Sequence, residues 1–281
     1  MLYCGGKQLL PHNGWSLNQT ELEWIVMELT GHHILITGGT TGIGLALAQA
    51  LLAQGNTVLA VDYSPENIKA AQAKSPQLQT HLTDLSSAAQ RVALKDWIQT
   101  DFKDIDILIN NAGIQRWINL LNLKHDWDWY HQELAINFEA QLHLTMLLLP
   151  MITQQPKGAI INVSSGLVTN PGAWVPLYTA AKTGVHGFTQ ALRLQLQDTP
   201  TKVFEILPPA VNTDLGGSGA HTYGVDLSEF IAAVLDQLTQ DLPEITYGTS
   251  WDQLRATKAH NLATTQQTWE LFKDNPNFKN A

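Results

Sequence analysis

Cysteine is nearly absent. The chain of 281 residues holds one, Cys4, so no internal disulfide and no cysteine-based metal site can form, and a reducing, cytoplasmic setting is expected. Basic residues are scarce: 16 Lys and Arg stand against 25 Asp and Glu, a formal charge of −9. That balance argues against the basic patch of a nucleic-acid footprint and against a polybasic membrane anchor. No uninterrupted apolar run approaches ~18 residues, so no membrane span is expected. Met1 to Val26 lacks a charged stretch followed by an apolar one and does not read as a secretory signal. It has three readings: a loosely ordered tail, an upstream start before Met27, or a short docking arm. The first is preferred, because chain ends order only when tied down. Short-period repeats and internal breaks in composition are missing as well. One catalytic domain over 27–250 is therefore expected, with a helical tail over 251–281 packed on it.

What is present alternates. Apolar runs predict strands at His33 to Thr37, Thr57 to Val61, Leu78 to Leu82, Ile105 to Ile109, Ile160 to Val163, Val203 to Leu207 and Ile245 to Tyr247. Between them, helical spacing falls over Leu45 to Gln54, Pro65 to Lys74, Ser86 to Phe102, Trp127 to Met151, the stretch carrying Tyr178, and Asp226 to Gln240. Strands that alternate with helices argue an α/β chain with a parallel, doubly wound sheet. Trp251 to Phe272 is polar and amphipathic, and its Trp, Leu and Phe read as packing residues.

Two stretches carry chemistry. Gly38-Gly39-Thr40-Thr41-Gly42-Ile43-Gly44 lies between a strand and a helix. Small residues there let the backbone approach a pyrophosphate, and the helix N-terminus favours the anion. Asp62 ends the next strand, 18 residues past Gly44, where a carboxylate can accept from the adenosine ribose hydroxyls and repel a 2′-phosphate. No Arg or Lys lies in the turn or directly after Asp62, which favours NAD over NADP. The second stretch is Ile160 to Gln195. Tyr178 and Lys182 are four residues apart and share a helix face, and Ser165 lies 13 residues before Tyr178. An ammonium near a phenol favours the phenolate, so the tyrosine pKa is expected to fall toward the working range, where it can exchange a proton with a carbonyl or alcohol oxygen. Tyr-x-x-x-Lys alone is common and usually means a packed tyrosine and a snorkelling lysine. Asn137, mid-helix, reads by itself as a solvated face.

Together these residues resemble the short-chain dehydrogenase/reductase (SDR) family over about Leu29 to Tyr247. The motifs come in order: Thr37-Gly38 with Gly42-Ile43-Gly44, Asp84, Asn110-Asn111-Ala112-Gly113, Asn137, Ser165, Tyr178 and Lys182. The resemblance implies a Rossmann-type doubly wound sheet with helices on both faces. It implies that Tyr178 is the general acid/base, that Lys182 tunes it and binds the nicotinamide ribose, and that Ser165 orients the substrate oxygen. Asn137 would hold a water linking Lys182 to solvent. Asp84 with Leu85, and Asn110 with Ala112 and Gly113, would sit along the cofactor, with Asp84 and Asn110 on its adenosine side. Val211 and Thr213 would lie near the nicotinamide amide. The segment from Pro208, with the later Ile245-Thr246-Tyr247-Gly248, is similar to the branch called DltE-like. One departure is Pro208-Pro209 where the family has Pro-Gly, since proline cannot donate an N–H and stiffens the loop.

The reading is therefore an NAD-dependent oxidoreductase that interconverts a small-molecule carbonyl and alcohol. The alternative is a cofactor-binding sensor or scaffold that keeps the fold. The glycine-rich loop Asp214 to Val225 could act as a lid, with His221 and Tyr223 either touching substrate or facing solvent. A homo-oligomer, dimer or tetramer, is expected through the apolar helices Trp127 to Met151 and Pro176 to Gln197.

Overall fold

Alternation along each strand decides which face of the sheet a residue builds. The computed structural model describes residues 27–217 and 219–281, so the readings of residues 1–26 fall outside it. In β1 (His33–Thr37), Ile34 and Ile36 enter one apolar core and Leu35 the other. β2 (Thr57–Asp62) divides the same way, Val58 and Ala60 against Leu59 and Val61. So does β4 (Ile107–Asn110), with Ile107 and Ile109 on one side and Leu108 on the other. Successive Cβ atoms point to opposite faces, so strands that are apolar throughout must be covered on both sides. One face is covered by α1 (Gly42–Ala53) and α7 (Leu227–Thr239), the other by α3 (Ala88–Asp101), α5 (Ala140–Ile152) and α6 (Pro176–Gln195). Each fully buried Leu or Ile contributes roughly 1.5–3 kcal/mol.

The remaining strands are β3 (Gln79–Leu82), β5 (Ala159–Val163), β6 (Lys202–Leu207) and β7 (Glu244–Thr246). All seven pair in parallel, in the order β3-β2-β1-β4-β5-β6-β7. The order reverses between β1 and β4, and ligands of such sheets bind at the carboxyl ends of the strands there.

Several boundaries differ from expectation, β7 by one residue at each end among them, and three bear on the site. β4 begins at Ile107, not Ile105, because Asp104 has a positive φ of 65° and Asp106 turns its carboxylate onto the His33 amide at 2.9 Å and the His32 ring at 2.7 Å. α1 begins at Gly42, where Leu45 already donates to Thr41 O at 3.0 Å. The helix expected over Trp127 to Met151 is α4 (Trp127–Leu134), a π-helical turn (Ala135–Glu139), then α5. By length and composition Trp127–Ile152 could cross a membrane, which no uninterrupted apolar run announces. Its apolarity has another use here: Leu144, Leu148 and Ile152 pack on the sheet with no exposure. Met146 on α5 and Leu194 on α6 remain exposed.

The tail folds into α8 (Thr249–Arg255), α9 (Lys258–Phe272) and α10 (Pro276–Lys279). Phe272 stacks on Trp174 with centroids 4.2 Å apart, which brings α9 over the carboxyl end of the sheet.

Candidate active site

A cleft of about 1100 Å³ opens over the strand ends between β2 and β6. Its centre is the glycine turn. Gly38 and Gly42 have φ of 60° and 50°, the left-handed region that glycine enters without strain. Thr41 caps α1 without a side-chain bond, so the first-turn amides keep their donors for an anion. Gly38, Thr41, Gly42 and Ile43 line the cleft. Gly44 does not; a Cβ on it would stand 2.1 Å from Gly38 O, so it is the close contact between helix and turn. These residues fit a dinucleotide pyrophosphate.

Toward β2 the walls are Val61, Asp62, Tyr63, Asn67, Thr83, Asp84 and Leu85, with no Lys or Arg among them. Asp62 is 7% exposed. One of its oxygens accepts from the Ser64 amide at 2.9 Å and the other from the Thr40 hydroxyl. Thr40 is therefore a support for Asp62, which corrects its reading as a cofactor contact. Asp84 accepts from Ser86 N at 2.9 Å.

The next strand ends in two asparagines with different work. Asn110 is fully buried, and its amide donates to Thr145 Oγ1 at 3.0 Å and Asn162 Oδ1 at 2.8 Å. It does not line the cleft, which corrects its placement on the adenosine side. Asn111 does line it, and it donates to Thr37 O at 2.9 Å and Gly38 O at 3.2 Å. It staples β4 to the glycine turn. Ala112 and Gly113 follow along the cleft.

Asn137 sits in the π-helical turn with 0% exposure, not on a solvated face. Its carboxamide pairs both ways with Ile114, accepting from N at 2.8 Å and donating to O at 2.7 Å. Gly113 stands between Asn137 and the lysine: a Cβ there would lie 3.2 Å from Asn137 Oδ1 and 3.7 Å from Lys182 Nζ.

Ser165, Tyr178 and Lys182 meet on the facing wall. Pro176 opens α6, where its missing N–H costs nothing, and Tyr178 enters in the first turn. The expected drop in the phenol pKa is not found. Burial pushes Tyr178 up to about 12, the Ser165 hydrogen bond pulls it down, and the Glu133 carboxylate raises it further. Lys182 is itself buried, which brings it down to about 8, with Glu205 acting the other way. Its Nζ donates to Val163 O at 2.7 Å and lies 5.7 Å from the Tyr178 ring centroid. Desolvation leads in both groups and disfavours the charged form of each.

Glu133 escaped the sequence reading. Its Oε1 accepts from Arg116 N at 3.1 Å, while Oε2 is buried without a partner among the described residues. Burial brings its carboxyl up to about 7. The only signal in the sequence is its place one turn before Asn137.

Beyond Tyr178 the chamber wall is apolar, with Leu167, Trp174, Leu215 and Phe272, together with His221, Tyr223, Gln253 and Thr268. The tail therefore forms part of the cleft, which corrects its reading as packing alone. Burial pushes the His221 imidazole down. Pro208 and Pro209 line the cleft with Val211 and Thr213. Pro208 O accepts from Gly166 N at 2.9 Å, and the loop is tied through Asn212 N to Val225 O at 2.9 Å, so it is anchored without an N–H at 209.

The comparisons agree with this geometry. The profile of the short chain dehydrogenases matches residues 32–223. An oxidoreductase of Bacillus subtilis named DltE is 37% identical over 225 residues, 78% of this chain and 89% of that one. A D-beta-hydroxybutyrate dehydrogenase of Cupriavidus necator is 38% identical over 194 residues, 66% of this chain and 73% of its own. A short chain dehydrogenase of Burkholderia cenocepacia in complex with NADP superimposes with a TM-score of 0.71 at 25% identity, covering 89% of this chain and all, 100%, of that one. A 3-ketoacyl-(acyl-carrier-protein) reductase of Brucella melitensis complexed with NADH gives 0.70 at 22% identity, over 79% of this chain and 100% of its own. With the glycine turn, the serine, the tyrosine and the lysine gathered around one cleft of a parallel sheet, this chain belongs to the short-chain dehydrogenase/reductase family of oxidoreductases.

Proposed function

We propose that the chain is an NAD(H)-dependent oxidoreductase that interconverts a carbonyl and an alcohol on a small molecule, with Tyr178 as the proton donor and acceptor. The observation that carries this is the meeting of Ser165, Tyr178 and Lys182 on one wall of the cleft that the glycine turn opens. The Cupriavidus necator relative is named for oxidising a hydroxy acid, which supports the reaction class.

The dinucleotide supplies the hydride chemistry when bound. The protein's part is orientation and the proton. The Ser165 and Tyr178 hydroxyls hold the substrate oxygen. With its pKa raised, Tyr178 rests as the neutral phenol and is ready to protonate an alkoxide, which suits the reductive direction near pH 7. Lys182, beside Gly113, replaces the proton.

Asp62 and the absence of a cation at its end of the cleft support NAD over NADP. Fluorescence titration is expected to give tighter binding of NADH than of NADPH; tighter NADPH binding would overturn the preference. A screen of carbonyls following NADH absorbance tests the activity. If NADH binds but no carbonyl is turned over, the binding-only alternative stands.

The pH profile tests Lys182. Its ammonium is intact below about 8 and loses its proton above, whereas the phenol stays protonated to about 12. kcat/KM for reduction, which reports the free enzyme, is therefore expected to fall as pH rises through 8. Lys182→Arg keeps the charge and should move that limb upward. A limb unmoved by Lys182→Arg would assign it to another group.

A further inference from the structure

The tail brings to the chamber a polar group, the Gln253 amide, that no described protein group uses. Gln253 lies on α8 and lines the cleft. Its Oε1 reaches to 3.0 Å from the point where a Cβ on Gly166 would stand, and Gly166 directly follows Ser165. The neighbouring Ser250 is buried and satisfied, its hydroxyl donating to Tyr247 O at 2.9 Å. The Gln253 side chain has no hydrogen-bond partner among the described residues; its backbone oxygen accepts from Asn261 Nδ2 at 2.8 Å and from Ala256 N at 3.3 Å.

The bond from Asn261 is half of a buried staple. Asn170 Nδ2 donates to Asn261 O at 3.0 Å, and both asparagines are buried. Asn170 belongs to the loop that starts at Ser165. The staple therefore fixes α8 and the start of α9 to the same segment that carries the catalytic serine, and Gln253 is held at a set distance from it.

The same cleft is lined by the apolar Leu167, Trp174, Leu215 and Phe272, with His221, Tyr223 and Thr268 among them. A few placed polar groups in an apolar chamber orient a ligand and give it specificity. Besides Lys182, the cation lining the cleft is Arg116, which is turned onto the Trp129 ring at 4.1 Å and donates to Trp129 O and Gln132 Oε1. The open position near Ser165 therefore offers a neutral donor and acceptor, the complement of a hydroxyl or oxo group, not of an anion.

We propose that Gln253 is a specificity-determining residue that hydrogen-bonds a hydroxyl or oxo group one or two carbons from the reacting carbonyl, so that the substrates are neutral, oxygenated ketones. The proposal rests on the oxidoreductase reading above. Reduction of an α-hydroxyketone breaks the C=O π bond, adds the hydride of NADH at carbon and the Tyr178 proton at oxygen, and yields a vicinal diol and NAD⁺; a β-hydroxyketone yields the 1,3-diol in the same way.

The test uses the full chain, NADH, and matched ketone pairs of increasing length with and without a neighbouring hydroxyl, beginning with 3-hydroxybutan-2-one and 2-butanone. The wild type is expected to favour the hydroxyketone by about 10-fold in kcat/KM, the scale of one hydrogen bond. Gln253→Met keeps the volume and removes the amide. It should lower kcat/KM for the hydroxyketone about 10-fold more than for the plain ketone, chiefly through KM. Gln253→Ala should repeat that ratio, and it decides the matter if the Met variant fails to fold. Equal losses on both ketones would reduce Gln253 to a structural part of the arm and overturn the proposal. A wild type without preference for the hydroxyketone would overturn it too, with the oxidoreductase reading intact. Turnover of no ketone, with NADH still bound, would bring down both.

Discussion

Tyr178→Phe is expected to lower turnover by about 10²- to 10⁴-fold, the range of general acid–base catalysis, while NADH binds as before. The reason is the depth of the site. The phenol is buried, and among the donors of that wall its hydroxyl is the one placed with Ser165 toward the substrate position. Phe fills the same space against Trp174 and Val175, so packing changes little and the loss isolates the proton. Single-turnover absorbance at 340 nm (a wavelength of about that value reports NADH) with a confirmed substrate is the measurement. Near-normal turnover by the Phe variant would end the mechanism proposed for Tyr178, whatever the substrate.

Gly44→Ala is expected to be the most damaging single methyl at the glycine turn. The added carbon would stand 2.1 Å from Gly38 O and 2.5 Å from Asn111 Nδ2. Backbone cannot rotate away as a side-chain tip can. Either α1 moves off the turn, or the turn and the Asn111 staple open. Overpacking of this kind costs about 1–3 kcal/mol and occasionally more, read as a lower melting temperature, and the displaced amides should lose NADH affinity as well. Gly187→Ala is the control. A Cβ there meets nothing within 4 Å, and in a helix Ala is favoured over Gly by about 1 kcal/mol. If Gly44→Ala behaves like Gly187→Ala, the close packing of helix on turn is not what holds the site.

What could be read in the sequence was what depends on near neighbours. The glycine turn, Asp62 at a strand end, and Tyr178 with Lys182 on one helix face all follow from spacing of a few residues. The alternation of strands and helices follows from period, and all seven strands pair as expected. What could not be read depends on tertiary burial. The direction of the Tyr178 shift is set by desolvation, and spacing carries no measure of that. Asn110 and Asn111 are adjacent in sequence, yet one faces Thr145 and the other Gly38, because the strand turns consecutive side chains to opposite faces. Gln253 and Phe272 reach the chamber from far along the chain, and the amphipathic pattern of the tail looks the same whether its inner face covers a core or a ligand. The start of β4 could not be read for a tertiary reason as well: Asp106 is committed to His32 and His33, far away in sequence.

The π-helical turn at Ala135–Glu139 acts as a phase slip in the long apolar helical stretch Trp127–Ile152. Each π turn carries one residue more than an α turn, so everything after it is rotated by about 100° relative to an uninterrupted helix, the angle of one residue at 3.6 per turn. The two halves can thus satisfy different neighbours: Tyr130 and Glu133 point inward from α4, while Leu144, Leu148 and Ile152 address the sheet from α5. Asn137 occupies the slip itself, its carboxamide locked on Ile114. The residue count across this segment is consequently a tuned quantity. Removing a single residue between Glu133 and Ala140 would restore a regular helix and, in doing so, swing either the asparagine out of the cleft or the leucines off the sheet.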